Sequence, residues 1–135
     1  MGGNLDISNM GGQAAAVAVE QGVAGLVVNG AVRDIGSIKS LDFPVWSKGR
    51  TPITGKCRIE AIEVNGPVTL HDIQVIPGDL VIADDSGVCV VPADKVQFIL
   101  DEVRQICKDE EVMRELIHNK APISEIKPLF RKRYK

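Results

Sequence analysis

The chain has 135 residues, of which 44% are hydrophobic and 25% are charged, and its formal net charge is -2. This length suits one domain with an apolar core, and the near-neutral charge argues against nucleic acid as a partner. No apolar stretch approaches the roughly 18 residues that cross a bilayer, so no membrane association is expected, and residues 1–6 lack the basic and apolar segments of a secretion signal. We therefore expect a cytoplasmic protein.

The first third of the chain has an α/β pattern. A helix is predicted over residues 11–22, because its centre is rich in alanine, glycines open it and Gly22 stands in the C-terminal capping place. The apolar run 24–28 suits a buried parallel strand, which we expect Asn29 and Gly30 to end. Two further elements complete this third: a short helix over residues 35–41 and a strand over residues 43–46.

Residues 56–91 change to β-branched and alternating runs, which predict a β-rich unit. The turn signals between these runs include Asp79, Asp84 and Asp85, whose spacing matches no EF-hand, so we assign them to turns. The predicted strands cover residues 58–64, 67–70, 73–75, 80–83 and 88–91.

From residue 93 onward the apolar residues recur with a helical period. Helices are predicted over residues 93–108, 110–118 and 123–130. The basic residues 131–135 indicate a solvated terminus, with an RNA contact as the alternative.

The three cysteines are odd in number and far apart: Cys57, Cys89 and Cys107. This spacing predicts neither a disulfide framework nor a paired zinc site. We expect plain thiols that are buried or half-buried.

The start of the first helix and the end of the first strand are expected to lie at one edge of the fold. A short connection makes the two elements run antiparallel, and about ten helical residues at ~1.5 Å and about five strand residues at ~3.3 Å both span roughly 15 Å. The segment Gly11–Ala14 should therefore face the segment Asn29–Asp34 across one pocket.

The residues of this pocket suit a small anion. The backbone N–H groups of Gly11, Gly12, Gln13 and Ala14 have no partners within the helix, and the helix dipole adds positive potential. Arg33 can offer a bidentate fork to a carboxylate, and Asp34 is the natural metal ligand in the style of Mg²⁺, which keeps several waters. These residues alone indicate an anion site and leave a metal ion open, because a neighbouring Arg-Asp pair is also a common surface ion pair.

Three blocks in this order carry a resemblance: GVAGLVVNGAVRD at residues 22–34, FPVWS at 43–47 and PGDLVIADDSGV at 77–88. Together they resemble the 4-hydroxy-4-methyl-2-oxoglutarate aldolase family, which also contains the regulator of ribonuclease activity A. The resemblance implies an α/β fold with a swivelling β/β/α domain over residues 1–92, followed by a C-terminal helical extension over residues 93–135.

The resemblance also implies roles for particular residues. In the family, the backbone that opens a helix binds the pyruvate carboxylate, an arginine after the next strand binds substrate, and the adjacent aspartate holds a divalent metal. These roles fall on Gly11–Ala14, Arg33 and Asp34, with Mg²⁺ or Mn²⁺ as the metal. Glu110 is a candidate catalytic acid for a neighbouring subunit, the alternative being a solvated helix-face glutamate.

The resemblance implies a homotrimer. Its implied function is the cleavage of 4-hydroxy-2-oxo diacids to pyruvate, with oxaloacetate decarboxylation as a side activity. The alternative is a non-catalytic protein-binding regulator of ribonuclease activity. Regulators in the family tend to lack the aspartate after the arginine, so Asp34 favours the enzyme. Lys56 has the apolar neighbours that a Schiff-base aldolase needs, but nothing else supports that chemistry.

Three departures from the family pattern affect these expectations. Gly12 stands where the family usually has an acid that helps to move protons, so we expect slow turnover. Asn29 replaces the usual aspartate before the glycine of the strand end. The family also has a substantial segment before this point, so the chain resembles an N-terminally truncated member.

Overall fold

The structure is a computed structural model that describes residues 3–131. These residues form the predicted mixed α/β fold with a long C-terminal helix. Two compact units meet in sequence at Val90 and Val91, beside the predicted boundary at residues 92 and 93. The predicted basic terminus at 131–135 lies outside the described residues from position 132 onward.

A three-stranded parallel sheet organises the first unit, in the order β1-β2-β3. The parallel strand predicted after the first helix is its central strand. In chain order the elements are β1 (Ser8–Met10), α1 (Gly12–Glu20), β2 (Leu26–Val32), α2 (Ile35–Ser40) and β3 (Val45–Arg50).

The core of this unit lies where α1 and α2 meet. Ala15, Ile38 and Phe43 are buried together, and Leu26 and Val45 pack against them from the sheet. The small side chain of Ala15, with 0% exposure, explains why an alanine-rich helix suits this place: it lets the helix backbone approach its neighbours closely.

Two hydrogen-bonded strand pairs follow. The first joins β4 (Val68–Leu70) to β5 (Ile73–Val75), and the second joins β6 (Leu80–Asp84) to β7 (Gly87–Val91). The turn assignment is confirmed for Asp85, which lies in the turn between β6 and β7. Asp84 is instead the last residue of β6, where its Oδ1 accepts the backbone N–H groups of Ser86 and Gly87, and Asp79 Oδ2 accepts that of Ile76 just before β6.

The second unit is helical. It contains a 3₁₀ turn (Ala93–Lys95), α3 (Val96–His118) and α4 (Ile123–Arg131), and α3 and α4 pack against each other. The prediction of separate helices over 93–108 and 110–118 was wrong, because no glycine or proline interrupts the 23 residues of α3. None of the helices within residues 3–131 is long and apolar enough to cross a membrane.

Three other local predictions were wrong. The strand predicted over 58–64 is irregular, and Ile62 is 94% exposed. Asn29 and Gly30 do not end β2, which continues to Val32 with a register shift between Val28 and Ala31. The three cysteines are exposed free thiols, not buried ones.

Candidate functional site

The site lies where β2 gives way to α2, beside the start of α1. The Arg33 backbone N–H donates to the Met10 carbonyl at 2.9 Å, so β1 fixes the chain as it leaves the sheet. Asp34 follows in the left-handed conformation, with φ 56° and ψ 42°, at the N-cap of α2. Aspartate and asparagine tolerate this conformation better than most residues.

One carboxylate oxygen joins the two segments. The Gly12 backbone N–H donates to Asp34 Oδ2 at 3.1 Å, and Arg33 Nη1 donates to the same oxygen at 2.6 Å. The side chains of Arg33 and Asp34 are 34% and 39% exposed. The structure therefore brings the helix start and the residues after β2 together, as the lengths of the two elements predict.

The glycines at the helix start permit this approach. A Cβ atom added at Gly11 would lie 2.8 Å from both Arg33 Cζ and Asp34 Oδ2, and one added at Gly12 would lie 2.8 Å from Ser37 Cβ on α2. Gly12 is also buried. The absence of the family's acid at this position thus has a packing consequence: α1 and α2 are too close for a larger residue.

A cavity of about 260 Å³ opens beside these residues. Gly11, the N-cap of α1, and Ala14 on α1 line one side of it, Arg33 lines it from the residue after β2, and Lys56 lines it from the turn after β3. The lining residues include two cations and no acid. Three of the predicted site residues, Gly12, Gln13 and Asp34, do not line the cavity, and Gln13 is exposed.

Sequence reasoning missed the place of Lys56 at this cavity, having considered it only for Schiff-base chemistry. The signal that could have found it is its position in a short polar turn soon after β3, which lies beside β2 in the sheet.

Asn29 belongs to a different place. It lines a larger, mostly apolar cavity of about 600 Å³ with Trp46 and Leu70, and its Nδ2 donates to the Thr69 carbonyl at 3.2 Å. Its Oδ1 is buried without a hydrogen-bond partner among the described residues. The asparagine at this position therefore affects the contact between β2 and β4 rather than the carboxylate of Asp34.

Asp34 suits a hard cation only as a single protein ligand. Both of its contacts use Oδ2, which leaves Oδ1 without a hydrogen bond to any described residue. No group of three or more His, Cys, Asp or Glu residues gathers within residues 3–131. One carboxylate with several waters is a common arrangement for Mg²⁺, so the residue fits that ion.

Glu110 is half-buried in the middle of α3, in the second compact unit. Its predicted role concerns a neighbouring subunit's site and stays a prediction.

Comparisons with known proteins show the family of this chain. Residues 1–90 match the model of the RraA-like family, described as Aldolase/RraA. The 4-hydroxy-4-methyl-2-oxoglutarate aldolase of Thermus thermophilus is 33% identical over 91 residues, which are 67% of this chain and 55% of that protein.

Two solved structures show the same fold. An uncharacterized protein from Pseudomonas syringae superposes with a TM-score of 0.87 at 27% identity, over 93% of this chain and 62% of its own. The RNA-processing inhibitor RraA from Thermus thermophilus superposes with a TM-score of 0.60 at 32% identity, over 67% of this chain and 55% of its own. The chain spans 19% to 58% of the lengths of six of the curated relatives that it matches.

Proposed function

This chain belongs to the RraA-like family, and we propose that it is a divalent-metal-dependent lyase that cleaves 4-hydroxy-2-oxo diacids to pyruvate. The proposed substrate is of the 4-hydroxy-4-methyl-2-oxoglutarate type, and oxaloacetate decarboxylation is proposed as a side activity. Relatives named as aldolases at about one-third identity support lyase chemistry. The arrangement around Arg33 supports this part of the chain as the location of the proposed active site.

One observation carries the proposal: the Gly12 backbone N–H and the Arg33 guanidinium converge on a single carboxylate, that of Asp34. A helix N-terminus and an arginine fork are the donors that a small 2-oxo acid needs. Arg33 also lines the adjoining cavity, so its guanidinium is suitably placed to bind a substrate carboxylate there in competition with Asp34.

The proposed chemistry requires negative charge to be stabilised as a bond to the pyruvate part breaks. Arg33 binds and orients the substrate carboxylate, and the helix N-terminus adds fixed positive potential that needs no reorganisation during the reaction. Asp34 would hold Mg²⁺ or Mn²⁺, which when bound supplies Lewis-acid stabilisation of the 2-oxo oxygen. Gly12 offers no side chain to move a proton, so we expect slow turnover.

The test is pyruvate formation from 4-hydroxy-4-methyl-2-oxoglutarate and from oxaloacetate, with the Arg33→Lys variant beside the wild type. An ammonium cannot reproduce the bidentate fork, so KM should rise about tenfold or more while the fold is kept. Arg50→Lys is the matched control, since Arg50 is an exposed arginine at the end of β3 that does not line this cavity. A folded wild type that forms no pyruvate from either substrate with Mg²⁺ or Mn²⁺ contradicts the proposal.

A binding protein is the second candidate function. Its support is the fold likeness to the RNA-processing inhibitor from Thermus thermophilus at 32% identity, together with an Asp34 carboxylate already paired with Arg33. This candidate predicts no metal-dependent turnover, but a complex with a purified ribonuclease in a pull-down. Turnover that depends on Arg33, without such a complex, contradicts it.

A further inference from the structure

We propose that Lys56 binds the second carboxylate of the substrate, so that the Arg33 cavity selects dianionic over monoanionic 2-oxo acids. The inference rests on the proposed function, because it takes Arg33 as the site of the first carboxylate. It adds a specificity-determining residue to that site.

Lys56 is held at the cavity by a turn that is fastened to β1. The Ser8 backbone N–H donates to the Ile53 carbonyl at 2.9 Å, and Ser8 forms a parallel bridge with Thr54. The Lys56 backbone N–H donates to Thr54 Oγ1 at 3.2 Å. The backbone at Lys56 is therefore fixed relative to the strand that leads into α1.

Gly55 brings this turn against the strand. It is buried, and a Cβ atom there would lie 2.4 Å from the Ser8 carbonyl oxygen, so only glycine allows the contact. The close approach places the next residue, Lys56, in the cavity lining beside Gly11 and Arg33.

The charges leave Lys56 available for a ligand. Within residues 3–131 its ammonium forms no ion pair, whereas Arg33 is paired with Asp34. The other cation of the turn, Arg58, donates its Nη1 to the Thr54 carbonyl at 3.1 Å. With no acid in the lining, a second carboxylate has Lys56 as its natural partner.

Charge pairing also fits Lys56 better than covalent chemistry does. A Schiff-base lysine is activated by desolvation or by a neighbouring cation, and Lys56 is exposed. An exposed ammonium on a flexible stem is suited to meeting a carboxylate at the cavity mouth.

Calorimetric binding of 2-oxoglutarate and 2-oxobutyrate tests the inference, because neither is cleaved by the proposed reaction and only the first is a dianion. With Mg²⁺ present, Lys56→Met should weaken 2-oxoglutarate binding about three- to tenfold and leave 2-oxobutyrate binding unchanged. Lys56→Arg should retain the preference, since it keeps the charge. Lys48→Met is the matched control, because Lys48 is an exposed lysine on β3 that lines the apolar cavity instead.

The outcomes separate the two proposals. If 2-oxobutyrate binds in an Arg33-dependent manner and Lys56→Met leaves the affinity for 2-oxoglutarate unchanged, the Lys56 inference is overturned and the lyase proposal stands. An equal loss of affinity for both acids also overturns the inference, because it indicates a general charge effect. A wild type that binds neither acid overturns both.

Discussion

At the scale of single residues, Arg33 and Asp34 each limit what the other can bind. The Arg33 guanidinium holds Asp34 Oδ2 at 2.6 Å, so a substrate carboxylate must compete with Asp34 for the fork. A cation at Asp34 would weaken the same ion pair and release Arg33 for substrate. Metal and 2-oxo acid should therefore bind with positive coupling, each strengthening the other by the same factor.

The sequence could predict that these residues lie together, and it left their ion pair open as an alternative to a ligand site, but it could not predict that two donors share one Asp34 oxygen. Helix and strand lengths place Gly11–Ala14 opposite Arg33 because both elements span a similar distance. The choice of one Asp34 oxygen by both donors depends on the left-handed backbone at Asp34, which no sequence pattern marks. The sequence also could not predict that Gly12 has no room for a side chain, because Ser37 comes close to Gly12 only through the packing of α1 against α2.

At the scale of elements, the contact between α1 and α2 gives a stability prediction. Gly12→Ala should lower the free energy of unfolding by about 1–3 kcal/mol, because the added methyl group overpacks against Ser37. Gly36→Ala is the matched control: Gly36 lies in α2 with no atom near its Cβ position, so alanine there should be neutral or stabilising by up to about 1 kcal/mol.

Urea denaturation followed by circular dichroism compares the two variants. Equal stability of Gly12→Ala and Gly36→Ala would show that α1 and α2 are not tightly packed at Gly12. The result also bears on Gly12→Glu, which the family pattern alone predicts to raise the rate. The close packing of α1 and α2 at Gly12 predicts that Gly12→Glu lowers the stability of the fold, whatever the glutamate contributes to proton transfer.

Patterns of neighbouring residues in the sequence predicted those helices and strands whose ends are set by nearby residues. Helix α1 ends before Gly22, whose φ of 74° requires the glycine that marked the C-cap, and the apolar run after it became a parallel strand. Pairing across the sheet decided the rest. Strand β1 has only three residues, and β2 runs past Asn29 and Gly30 because Ala31 and Val32 pair with both β1 and β3.

The false strand at 58–64 has a different cause. Its apolar residues alternate through Ile59 and Ala61 and then shift by one place to Ile62 and Val64. Such a shift would send the later side chains to the opposite face of any sheet. The segment has no ladder partner among the described strands, and it stays irregular.

At the scale of the whole molecule, much apolar surface is exposed. Ile62 and Val64 are 94% and 85% exposed, and Val81 and Ile82 on β6 are 42% and 52% exposed. Two-stranded hairpins are marginal in water without a covered face, and large apolar patches usually mark contact surfaces. This exposed apolar surface therefore favours association with other polypeptide chains.

Size-exclusion chromatography with light scattering checks this expectation. The proposed assembly is a homotrimer, so the measured mass should be three times the 14.6 kDa of the chain. Replacing Ile62 and Val64 by lysine should leave the fold of the first unit intact, because neither side chain is buried. The expectation of association is contradicted if the wild type stays monomeric at micromolar concentration and binds no hydrophobic dye.

The central claim is that Asp34 anchors a metal-dependent lyase site, and oxaloacetate decarboxylation by Asp34→Asn tests it most directly. Asparagine keeps the shape of the side chain and tolerates the left-handed backbone, which alanine does not. The control is Asp42→Asn, the same change at an exposed aspartate with φ 51° just after α2.

Rates are measured with and without Mg²⁺ or Mn²⁺, after subtraction of the metal-catalysed reaction without protein. We expect Asp42→Asn to keep the wild-type metal-dependent rate and Asp34→Asn to lose about 100-fold or more, since Lewis-acid stabilisation contributes several kcal/mol. A folded Asp34→Asn variant with the same metal-dependent rate as Asp42→Asn would contradict the account.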